Sequence, residues 1–123
     1  MDLYSQIFLD HAQNPRNVGK LKDFTHEANE VNISCGDKTI IQLKVQGLKV
    51  KEIKHQTNGC MVAIFSASML SEKLIGKSVE EVSKMTPDDL LKLLGVELTM
   101  SRIKCALLPL MATQKALTRH CEE

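Results

Sequence analysis

The sequence predicts an α+β domain in which a three-stranded antiparallel sheet packs against helices. An amphipathic helical segment opens the chain, a two-residue alternation of apolar and polar side chains occupies its centre, and helical periodicity with capping signals fills its second half. Strands and helices segregated along the chain favour α+β over an alternating α/β arrangement. With 123 residues and no internal repeat or low-complexity linker, residues 1–123 suit a single domain with one core.

The elements follow in order. Asp2 to Ala12 places Leu3, Tyr4, Ile7 and Phe8 at helical spacing, and Asn14-Pro15-Arg16-Asn17-Val18-Gly19 ends that helix, because the residue before proline avoids the helical region. Three strands are predicted between about Glu27 and Thr57. Ile41, Leu43 and Val45 alternate with Gln42, Lys44 and Gln46, and Gly47 supplies a hairpin turn. In the following strand Val50 and Ile53 differ in parity, which calls for a bulge or a shortened strand. Lys44, Lys49, Lys51 and Lys54 fall on the open face or rim of this sheet, as a solvated edge that resists aggregation.

Cys60 to Ile75 is apolar nearly all round, the signature of a buried helix, and Gly76 closes it. Ser78 with Glu81, and Thr86 with Asp89, read as capping boxes that start two short helices, the second with Pro87 at its first position. Ile103, Leu107, Leu110, Met111 and Leu117 form the apolar stripe of a last helix, bent at Pro109. The six methionines read as core filler.

Composition removes several function classes. Sixteen Lys and Arg nearly cancel 15 Asp and Glu, for a formal charge of +1, so no global field draws the chain to nucleic acid or to a membrane surface. One Tyr, three Phe and no Trp leave little for stacking on bases. The first residues lack a secretory signal and the longest apolar run, Cys60 to Phe65, is too short to span a bilayer, so a cytoplasmic protein is expected. In that reducing setting disulfides are not expected, and no two of the four cysteines stand in Cys-x-x-Cys spacing.

Three cysteines nevertheless lie at element boundaries. Cys35 sits in Ser34-Cys35-Gly36-Asp37 between two strands, where Gly36 permits a turn that presents a soft thiol and a hard carboxylate together. Cys60 follows Asn58-Gly59 and opens the buried helix, where the positive end of the helix dipole favours thiolate. Cys105 is placed at the start of the last helix beside Arg102 and Lys104. One such cysteine alone reads as a buried core residue; three at junctions, with Asp37 beside one, read as a metal-ligand set suited to zinc or an iron–sulfur cluster. The carboxylate makes it more labile than four thiolates. His55 either approaches that site or caps the sheet, and Cys121 beside His120 belongs to a frayed terminus.

Cys35-Gly36-Asp37, Asn58-Gly59-Cys60 with the small residues Ala63, Ser66, Ala67 and Ser68 behind it, and Arg102-Ile103-Lys104-Cys105-Ala106, taken in order, resemble the IscU/SufU/NifU amino-terminal family of iron–sulfur scaffolds. The likeness runs from the first helix to the last. It implies a SufE/NifU-like fold with the cysteines and Asp37 converging at one exposed end. It also implies a non-enzymatic scaffold that receives sulfur from a cysteine desulfurase, assembles a [2Fe-2S] cluster and hands it to apo recipient proteins, with a homodimer as one way to shield it. By the same resemblance Cys35, Cys60 and Cys105 are ligands or sulfur acceptors, Cys105 standing where the persulfide is often accepted, and Asp37 is a ligand or a release switch. The alternative is a SufU-like sulfurtransferase accessory that holds Zn2+ at the same residues. IscU-type members usually carry His before the third cysteine; Lys104 stands there, as in SufU-type sequences, and a protonated ammonium cannot coordinate metal. Leu98-Thr99-Met100-Ser101-Arg102 replaces the Leu-Pro-Pro-Val-Lys chaperone motif, and the SufU-type insertion is not apparent.

Overall fold

Proline at position 15 fixes where the first helix must stop, and in the computed structural model α1 (Leu3–Gln13) ends just before it. The structure describes residues 3–33, 36–95 and 97–122, with side chains described for 6–33, 36–95 and 97–118. Phe8 of α1 packs on Phe65 with ring centroids 4.8 Å apart, which seats the helix on the core.

The Asn14–Gly19 segment then crosses to the sheet and is held by hydrogen bonds at Arg16, Asn17 and Gly19. The Arg16 amide donates to Ser68 Oγ at 2.8 Å, Asn17 Nδ2 donates to Ser71 Oγ at 3.0 Å, and Asn17 takes a left-handed backbone with φ of 59°. The His55 amide donates to the Asn17 carbonyl at 2.9 Å and the Gly19 amide to the His55 carbonyl at 3.0 Å.

The sheet consists of β1 (His26–Asn32), β2 (Asp37–Gln46) and β3 (Lys49–Asn58), antiparallel and in that spatial order. Gly47 and Leu48, at φ of 58° and 64°, form the two-residue loop with both angles positive that a type I′ hairpin requires. Lys44 pairs with Glu52 but Val45 pairs with Val50, so Lys51 is the extra residue of a bulge. That shift lets Val50 and Ile53 both face the core despite their parity. One face, built from Ala28, Thr39, Ile41, Leu43, Val50 and Ile53, is buried under two helices. The four lysines Lys44, Lys49, Lys51 and Lys54 lie outside it, exposed or half-buried.

The covering helices are α2 (Met61–Leu74) and α5 (Met100–Glu122); α5 lies across β1 and β2, and α2 across β3 and α5. Between them, α3 (Val79–Ser83) and α4 (Pro87–Leu94) each begin with the reciprocal capping box expected from Ser78/Glu81 and Thr86/Asp89. Gly95 closes α4 in the left-handed conformation. Among the described residues, no helix is long and apolar enough to cross a membrane.

Two expectations need correction in α5. The helix starts at Met100, so Cys105 lies in its second turn and not at its start. Met111 is exposed, because Ala106, Ala112 and Ala116 let α5 approach the sheet and α2 closely, and the buried surface keeps Leu110 and Leu117 but takes in Leu108 and Thr113 instead. The methionines depart too: Met69 is core, whereas Met61, Met100 and Met111 are exposed.

Candidate metal centre

Three elements deliver one side chain each to a single point. Asp37 is the first residue of β2, Cys60 occupies the position just before α2, and Cys105 lies in the second turn of α5. One ligand atom from each lies within 4.8 Å of the others. A tetrahedral ion with metal–sulfur bonds of about 2.3 Å holds its ligands about 3.8 Å apart, so small side-chain rotations complete the set. Two thiols and a carboxylate are a donor set that fits zinc or iron. Cys60 and Cys105 are not joined in a disulfide.

Asp37 is only 1% exposed, so the turn beside it does not display the carboxylate to solvent as expected. The reason is a hydrogen-bonding role inside the fold. Cys60 provides no side-chain cap for α2; its backbone amide donates instead to Asp37 Oδ1 at 2.9 Å, and its thiol donates to Asp37 Oδ2 at 3.6 Å. Gly59 makes the approach possible. A Cβ there would lie 2.7 and 2.8 Å from Asp37 Cγ and Cβ, and closer still to Oδ1.

Cys105 is 0% exposed, with its thiol directed to the Ser101 carbonyl at 3.8 Å, so this thiol does not lie at an exposed end. Cys60 is half-buried and is the accessible thiol of the described pair. Arg102, one turn before Cys105, is the residue whose part the sequence disclosed least. Hydrogen bonding to the Cys60 sulfur, with smaller contributions from Cys105, raises the Arg102 guanidinium above its ordinary range. The signal was there in its position three residues before Cys105, on the same helical face.

Cys35 lies outside the described residues, as does the side chain of Cys121. Lys104 is exposed. His55 is excluded as a ligand because both ring nitrogens are engaged, Nε2 with the Arg16 carbonyl at 2.8 Å and Nδ1 with Thr57 Oγ1 at 3.0 Å. It holds the Asn14–Gly19 segment on β3.

The family model described as the NifU-like N terminal domain matches residues 3–122. This chain belongs to that family. The NifU-like domain is 41% identical over 49 residues to a protein of Archaeoglobus fulgidus named iron–sulfur cluster assembly scaffold protein IscU 1. That match takes in 40% of this chain but only 32% of the relative, so the chain aligns with about a third of the relative's length. In fold, the NifU-like domain is similar to the N-terminal part of a nitrogen-fixing NifU-like protein from Brucella abortus, at a TM-score of 0.83 and 19% identity over 98% of this chain and 96% of that one. It is also similar to a candidate iron–sulfur cluster assembly scaffold for the SUF system from Fervidobacterium islandicum AW-1, at a TM-score of 0.79 and 24% identity over 93% and 96% of the two chains.

Proposed function

We propose that this NifU-like domain is an iron–sulfur cluster assembly scaffold that takes sulfur from a cysteine desulfurase, assembles a [2Fe-2S] cluster as its cargo and passes it to apo recipient proteins. The observation that carries this reading is the convergence of Asp37, Cys60 and Cys105 from three separate elements to within 4.8 Å. Cys35 is the proposed fourth ligand, by its position two residues before Asp37 in the chain. The likeness to a scaffold protein over part of the chain supports the same role. No turnover of a small substrate is proposed; the protein's part is to hold, shield and release. Two thiols close together and not bonded fit a reducing compartment such as the cytoplasm.

Cys105 is the proposed persulfide acceptor, and its burial sets a condition on that role. Sulfur can reach it only if the packing around Cys105 opens, because exchange needs an accessible thiol.

Anaerobic incubation with a cysteine desulfurase, cysteine and ferrous iron, followed by metal analysis and visible spectroscopy, tests the proposal. Sulfur-to-iron charge-transfer bands with two irons per cluster, followed by transfer to an apo-ferredoxin, are expected. Tightly held zinc, no chromophore and faster desulfurase turnover would replace it with the zinc-bound sulfurtransferase accessory.

A further inference from the structure

A second feature of α5 stands apart from the sulfur ligands. Lys104, Leu107, Leu108 and Met111 share the side of the helix that looks toward the end of β1, where Val31 and Ile33 face them across a cleft of about 310 Å³. The apolar residues here are unusually bare: Ile33 is 92% exposed, Val31 54% and Met111 52%. Contiguous exposed apolar surface of this kind marks an interaction site.

Two polar side chains line the same cleft, and each carries a donor with no partner among the described residues. Asn32 Nδ2 is buried and has no hydrogen-bond partner among the described residues, an arrangement that is costly unless something supplies an acceptor. The Lys104 ammonium is exposed and has no ion pair among the described residues. Glu30, on the same strand as Val31, is taken up by Lys115 at 3.8 Å. The cleft therefore offers apolar contact, one unused neutral donor and one unused cation.

We propose that this cleft is a docking groove for a partner-protein segment in which an apolar side chain stands beside a carboxylate. The apolar side chain fills the space between Ile33 and Met111, and the carboxylate accepts from Asn32 Nδ2 and pairs with Lys104. The groove's volume suits one or two side chains and falls at the low end for a small-molecule cofactor. A second copy of this chain is disfavoured as occupant, because docking groove to groove brings the two Lys104 ammoniums together. The proposal holds whether or not metal occupies the neighbouring centre.

The test uses the full isotope-labelled chain and two end-capped tetrapeptides, one alternating glutamate and leucine, the other lysine and leucine. The acidic peptide is expected to give saturable NMR shifts at the Leu107 and Met111 methyls and at the Asn32 side-chain amide, with the basic peptide binding more weakly. Lys104→Glu should weaken the acidic peptide by about two- to fivefold, the range of an exposed ion pair, and shift preference toward the basic one. Met111→Asp should abolish both. Both are exposed positions, so an unchanged melting curve separates loss of binding from loss of fold. Absence of saturation, equal binding of the two peptides, or an unaltered preference in Lys104→Glu would each overturn the proposal.

Discussion

Gly59→Ala isolates the contact on which the metal centre rests. Gly59 has no positive φ, so its backbone accepts alanine without strain, and on chain-entropy grounds the substitution would stabilise the fold by about 0.4–1 kcal/mol. The structure predicts the opposite sign. The new Cβ would come within 2.8 Å of Asp37 Cβ and nearer to its carboxylate, forcing Asp37 away from the Cys60 amide it now meets at 2.9 Å. Losing a buried hydrogen bond of this kind costs about 1–3 kcal/mol, which at mid-range outweighs the entropic gain and leaves a net loss of about 1 kcal/mol. Urea unfolding of the metal-free protein measures it, with an unchanged m-value as the control for two-state behaviour. In an Asp37→Ala background two of the three crowded atoms are gone, so Gly59→Ala should cost at least about 1 kcal/mol less there. Stabilisation by Gly59→Ala in both backgrounds would refute the reasoning and with it the role given to Asp37.

Further expectations concern the histidines and Arg102. Burial is the main cause that lowers both His11 and His55 in the fold. Unfolded chains hold them near their ordinary value of about 6.5, so between there and the lower native values the unfolded state binds more protons. Stability should therefore be insensitive to these groups above pH 7 and fall as pH drops through that window. His55→Gln should be less stable than the parent at pH 7.5 but lose less between pH 7.5 and 5, and parallel curves would contradict the assignment. For Arg102→Ala, the direction follows from charge: with Cys35 as the proposed third thiol, three protons leave for one dication and the loaded centre is more negative by one charge, so the guanidinium near the sulfurs favours the loaded form. Co2+ binding followed by its charge-transfer bands should be weaker in Arg102→Ala and partly restored in Arg102→Lys; unchanged affinity would remove Arg102 from the centre.

Most of the fold is legible because each element carries its own local signal. The capping boxes at Ser78 and Thr86, the stop at Pro15 and the turn at Gly47 are decided within a few residues. The bulge at Lys51 could also be anticipated, since burying both Val50 and Ile53 from one strand requires an extra residue between them. Exposure was harder to read. It depends on which helix covers which strand, a long-range outcome that periodicity does not encode. Hence the apolar stripe points Met111 to a core it does not enter, and the junction positions of Asp37 and Cys105 suggest a surface they do not reach. The ligand types were visible as residues at junctions. The Arg102 contacts and the unpartnered Asn32 donor required packing to bring them out.

The division of labour within Asp37 bears on what the empty protein is like. Its two oxygens have different partners: Oδ1 accepts from the Cys60 amide and so caps α2, while Oδ2 accepts from the Cys60 thiol. A metal that displaces the thiol proton competes only for the second oxygen. The first would keep the helix capped whether the centre is loaded or not, so the fold is expected to be independent of what the centre holds. A structural zinc domain behaves oppositely, because its metal supplies the folding energy. Treatment with a chelator should therefore leave the far-ultraviolet circular dichroism and a cooperative urea transition in place. Collapse of both on metal removal would show that the ion holds the three elements together, and that Asp37 alone does not suffice to cap α2.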